Sequence, residues 1–104
     1  MPQFVYRLHP VRPGMLADGP TADEERIIGE HFAYLQDLAA RGTVKLAGRT
    51  LTTGPETFGI CILEAADEAT ARAVMEGDPA VRHGVMTAEL FPFRIALWGA
   101  PPAN

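Results

Sequence analysis

A chain of 104 residues has the length of one domain and buries a real but modest core. Apolar residues make up 47% and charged residues 21%, an ordinary globular composition, and a net charge of −4 with nine scattered cations argues against a nucleic-acid surface. No apolar stretch is long enough to span a bilayer and no basic region precedes an apolar run, so neither a membrane span nor a secretory leader is expected.

The first predicted element is a strand, "QFVYRL" (Gln3 to Leu8), rich in aromatic and β-branched residues. "HPVRPGMLADGP" follows with three prolines and two glycines, a loop over 9–20 long enough to belong to a site or to cover the sheet end. Thr21 and Glu24 form a T-x-x-E capping box, with Asp23 and Glu25 at the positive end of the dipole. The helix they open runs to about Arg41 and stops at Gly42, placed in the left-handed position past its end. "TVKLAGRTL" is strand two, "TTGPET" a turn and "FGICILEA" strand three. Asp67 caps a second helix, "EATARAVME", ended by Gly77. "DPAVRHG" then starts a short turn with Asp78 as cap and Pro79 at the first helical position. "VMTAELFPFRIALW" is strand four, kinked or bulged at Pro92, and 99–104 is a tail.

The order β-α-β-β-α-β is the α+β, ferredoxin-like arrangement with a four-stranded antiparallel sheet, one domain with its core over about 3–98. Helices on one face leave the other bare, yet strand three does not alternate: Phe58, Ile60 and Ile62 point one way, Gly59, Cys61 and Leu63 the other. Strand four repeats this with Phe91 and Phe93 against Leu90. A bare apolar face of roughly 300 Å² predicts a homodimer with sheets face to face, an α+β barrel.

Cys61 has no partner in the chain, so a buried reduced thiol and a cytoplasmic setting are expected. No CxxC or HExxH occurs, and no metal or organic cofactor is expected. Attention falls on His31, which shares the first helix's apolar arc with Ile27, Ile28, Phe32, Leu35, Leu38 and Ala39. It is either a core histidine bonded to a neighbour or an imidazole ready for acid–base work in a cleft. Asp78 is adequate as a helix cap, worth ~1 kcal/mol, but its carboxylate can also accept from a ring nitrogen. Spacing alone does not bring the two together.

"EHFAYLQDLAARGTVKLAG", "FGICILEAADEATARAVMEGDPAVRHGVMTAEL" and "PFRIAL", with "RPG" in the first loop, together resemble the YciI-like, or YCII-related, family. The resemblance implies a ferredoxin-like fold, usually as a dimeric barrel similar in architecture to muconolactone isomerase. It also implies an active site built from His31 and Asp78. A relative is a dehydrochlorinase of a chlorinated hydroxyhydroquinone. The chain departs from the family pattern at Arg49, where the run often reads LAGP, and at Phe91, where histidine often stands.

Arg12, Arg49, Phe91 and Arg94 are the candidate substrate contacts: the arginines for an anion, Phe91 for an apolar pocket wall. Tyr6 either packs at the dimer face or extends its hydroxyl into the cleft. His9 and His83 sit beside a loop and at a helix end. The leading expectation is an enzyme without a cofactor, abstracting a proton from a small cyclic or aromatic acid as an isomerase or a lyase of dehydrohalogenase type. The alternative is a non-catalytic dimer that binds a small ligand or a partner protein in the same pocket.

Overall fold

Alternation sets the sheet. In β1 (Gln3–Pro10), Phe4, Tyr6 and Leu8 are buried while Val5, Arg7 and His9 turn the other way, the period of two that a strand imposes. The computed structural model describes residues 1–101. β1 lies between β3 (Gly59–Glu64) and β4 (Met86–Phe93), β2 (Val44–Arg49) pairs with β3, and every pairing is antiparallel, in the order β2-β3-β1-β4. Helix α2 (Ala22–Ala40) follows β1, α3 (Glu68–Gly77) follows β3, and two single-turn helices, α1 (Gly14–Ala17) and α4 (Pro79–Arg82), are added to the plan. The α+β, ferredoxin-like order expected from the sequence is the one observed.

Local chemistry explains the helix ends. The Thr21 hydroxyl accepts from the Glu24 amide and the Glu24 carboxylate accepts from the Thr21 amide, so the capping box is complete. Gly42 has φ 81°, the left-handed conformation that ends α2 without a Cβ clash. At Gly77 a Cβ would stand 3.0 Å from the Tyr34 hydroxyl. That hydroxyl donates to the Val74 carbonyl at 2.8 Å and ties α2 to α3.

Cross-strand register assembles the core. Cys61 and Leu90 flank Tyr6, and Leu63 and Pro92 flank Phe4. Leu35 and Leu38 of α2 and Ala71 and Met75 of α3 close over them. The opposite face carries Val5, Ile60, Ile62, Phe91 and Phe93, and also an Arg7–Glu89 ion pair at 3.0 Å, so it is not uniformly apolar.

Four details depart from the sequence expectation. β4 ends at Phe93 rather than Trp98, because its partner begins at Gln3 and Gln3–Phe93 is the last pair. The register through Pro92 is unbroken, since β4 is an edge strand and the missing N–H costs the ladder little there. The irregularity falls instead in β2, between Val44 and Leu46. The 9–20 segment is not featureless: β1 continues to Pro10, and α1 buries Met15 against Ile27 and Val85. Of the tail, residues 102–104 lie outside the described residues. Among the described residues no helix is long and apolar enough to cross a membrane.

Candidate functional site

Asp78 stands where α3 gives way to α4, with an extended backbone (φ −63°, ψ 123°) and Pro79 starting the next turn. Its Oδ1 accepts from the Ala80 amide at 3.0 Å, the capping bond expected of it. The same Oδ1 lies 2.7 Å from Nδ1 of His31, about two and a half turns into α2. Its Oδ2 accepts the Tyr6 hydroxyl at 2.8 Å. Asp78 and Tyr6 are both 0% exposed.

With both carboxylate oxygens accepting, Nδ1 of His31 is the protonated ring nitrogen and donates to Asp78. Nε2 then carries the lone pair. Among the described residues it has no protein partner, and the side chain keeps 14% of its surface exposed. His31 borders a cavity of about 570 Å³ between α2 and the β2–β3 side of the sheet. An oriented imidazole with an unpaired nitrogen, on a side chain that borders such a space, can take up and return a proton.

The cavity exists because small residues line its floor. Ala47 is opposite Cys61 and Gly59 is opposite both Leu8 and Arg49, so two positions that would project toward α2 contribute almost no side chain. Pro10, Met15 and Leu16 close one end, which gives the long connection a role at the site. Phe32, expected in the packed arc of the helix, is 66% exposed because the arc at that point covers the cavity rather than the core.

Burial governs the ionisable groups around the pair. It pushes the Tyr6 hydroxyl far above the usual phenol range, with nearby Cys61 and Asp78 adding to the effect. Burial also pushes the Cys61 thiol up to about 12 and raises Tyr34. These groups therefore stay neutral donors at ordinary pH.

The candidate substrate contacts are dispersed. Arg49 lines the cavity; its Nε donates to the Thr50 carbonyl at 3.0 Å, and among the described residues it has no acidic partner. Arg12 does not line it. Its guanidinium forks onto Glu24 at 2.9 and 2.7 Å and reaches the Gly19 carbonyl at 3.0 Å, fastening the first loop to the start of α2. The Arg12 fork in turn holds the Glu24 carboxyl down at about 2. Phe91 lies on the opposite face of the sheet, 5.9 Å beneath the Arg7 guanidinium, and Arg94 is exposed beyond β4; neither lines the cavity. His9 sits 6.5 Å from the Phe58 ring and His83 ends α4.

The bond from Tyr6 to Asp78 is the contact that sequence reasoning missed. The parity of Tyr6 with Phe4 and Leu8 puts it on the helix side, and a tyrosine buried there needs a hydrogen-bond partner. Among the described residues no group of three or more His, Cys, Asp and Glu is placed to hold a metal ion.

A model of the YCII-related domain matches residues 4–94. The chain belongs to the YCII-related family. Its fold is similar to that of 5-chloro-2-hydroxyhydroquinone dehydrochlorinase from Burkholderia phenoliruptrix, solved in complex with 2,5-dihydroxybenzoquinone: TM-score 0.63 and 22% identity over 88% of this chain and 93% of that one. A protein of unknown function from Nitrosomonas europaea aligns over 98% of this chain and 96% of its own, with TM-score 0.50 and 17% identity. No curated protein matches the sequence. At these identities the structural likenesses speak for the fold, and the YCII-related chain's chemistry has to be read from its own side chains.

Proposed function

We propose that this YCII-related protein is a proton-transfer enzyme in which Nε2 of His31 removes a proton from an activated carbon of a small cyclic or aromatic acid. Asp78 holds the ring in the tautomer that leaves Nε2 unprotonated and stabilises the imidazolium once it forms. Proton return to another carbon gives isomerisation. In the elimination variant the C–H electron pair becomes the new double bond and the leaving group departs with its own bonding pair. Dehydrochlorination, the activity named for the Burkholderia structure, is one instance of this class. Arg49, a cation on the cavity wall that has no acidic partner among the described residues, receives the substrate's anionic group. Arg12, Phe91 and Arg94 are left out of the binding role.

The observation that carries this reading is the 2.7 Å His31–Asp78 contact at the edge of the cavity. A thermal-shift screen of small aromatic and lactone acids, followed by turnover assays on the hits, tests it. His31→Ala is expected to retain ligand stabilisation and to lose turnover by at least about a hundredfold. Undiminished turnover in that variant would sink the assignment, and hits that are bound but never converted would replace it with non-catalytic capture.

We further propose a homodimer through the outer sheet face, supported by Ile60, Ile62, Phe91 and Phe93 there. Light scattering at micromolar concentration checks it, and a monomer would remove it. The buried free thiol of Cys61 supports a reducing, cytoplasmic setting.

A further inference from the structure

We propose that Tyr6 is a positioning residue for His31, acting through Asp78. The inference rests on His31 as the proton-transfer group and adds a third member to the pair. A capping aspartate needs one oxygen only, and Oδ1 of Asp78 already serves the Ala80 amide. The Tyr6 hydroxyl secures the second oxygen at 2.8 Å, from β1, one of the two inner strands. Two attachments fix the plane of the carboxylate, where one would leave it free to turn about the capping bond. That plane decides whether Oδ1 meets Nδ1 of His31, and so which ring nitrogen is left unpaired beside the cavity that the side chain borders.

Packing does not explain the hydroxyl. Tyr6 lies between Phe4 and Leu8 on the buried side of β1, opposite Cys61 and Leu90, where a phenylalanine would fill the same volume. Its one polar atom is spent on Asp78. That bond also draws negative charge toward Oδ2 and away from the imidazole, which moderates how firmly Asp78 holds the ring's proton.

The ionisable groups around the pair come from several elements. Tyr6 from β1, Cys61 from β3 and Tyr34 from α2 are kept neutral by burial, and the guanidinium groups of Arg41, past α2, and Arg82, of α4, lie near Tyr34.

The test is Tyr6→Phe in the full chain, followed by ¹⁵N NMR of labelled histidine across the pH range. With the phenol gone, Asp78 bears more charge against the ring, so the His31 protonation midpoint moves to higher pH while His9 and His83 stay in place as internal references. On a substrate found for the parent, kcat falls about tenfold with KM within about twofold, the scale of one hydrogen bond acting at second hand. Incorporating 3-fluorotyrosine in a Tyr34→Phe background supplies a more acidic phenol at position 6 and moves the midpoint to lower pH. It carries the test alone if Tyr6→Phe does not fold. A midpoint unmoved in whichever of these proteins folds overturns the proposal, even if His31→Ala abolishes turnover. A midpoint that moves while His31→Ala stays active leaves the Tyr6 link standing and removes only the catalytic reading.

Discussion

Two stretches of the same layer, between the same sheet and the same long helix, are packed to opposite outcomes. Around Tyr6, Cys61 and Leu63 the side chains of α2 and α3 close the space completely, and all three residues are 0% exposed. Two residues earlier on β3, at Gly59, and across from Cys61 at Ala47, side-chain volume runs out and a cavity of about 570 Å³ opens. β3 runs unbroken across the boundary, while β2 carries its register irregularity there, between Val44 and Leu46; small residues and that irregularity together separate core from cleft. His31 stands on that boundary, with Nδ1 committed to the packed half and its side chain bordering the hollow one.

The comparison can be broken from either side. Leu63→Ala in the filled half should lower stability by about 3 kcal/mol, read by urea unfolding, because a close-packed site cannot collapse around the lost volume. A loss under ~1 kcal/mol would mean that this half is looser than described. Ala47→Leu in the hollow half should change stability by less than ~1 kcal/mol yet weaken ligand binding at least about tenfold, since it adds volume to space the fold leaves empty. Binding that survived that substitution would place the ligand elsewhere.

The Cys61 thiol sharpens the same contrast through pH. Burial raises it from 9.0 to about 12 in the folded state, so the unfolded chain loses its proton first. Stability should therefore fall as pH rises above 9.0 and level off near 12, and labelling by a thiol reagent should track unfolding. Rapid labelling of the native protein would contradict a sealed core there.

The smallest effect expected concerns the loop that closes the hollow half. Glu24→Gln should speed proteolytic cleavage within 11–20 by releasing Arg12, with little change in global unfolding. With the Glu24 carboxyl lowered from 4.5 to about 2, the native fork contributes fully above 4.5 and is lost as pH falls through about 2. Cleavage rates that are equal in the two proteins at neutral pH would show that the fork does not restrain the loop.

Element order, both helix caps and the left-handed Gly42 were legible in the sequence because each depends on residues close together in the chain. The end of β4 was not, since it is fixed by where the partner strand starts: Gln3 has no preceding strand residue for Arg94 to meet. The expected kink at Pro92 failed for a related reason, as a proline's cost depends on whether its strand is central or at an edge. His31 and Asp78 were identified as candidates, but only family resemblance joined them; the apolar periodicity of α2 is equally satisfied by a core histidine. Arg12 shows the limit most clearly. Its fork onto Glu24 uses a residue already engaged in the capping box, and nothing in the linear order marks a carboxylate as serving two donors at once.

The separations of 72 and 47 positions between Asp78 and its partners Tyr6 and His31 carry one more consequence. No short fragment holds all three, and the first strand reaches the turn after α3 only when it has been inserted between its neighbours. The three side chains therefore meet only in the assembled tertiary structure, and their contact reports that assembly rather than the presence of any one helix.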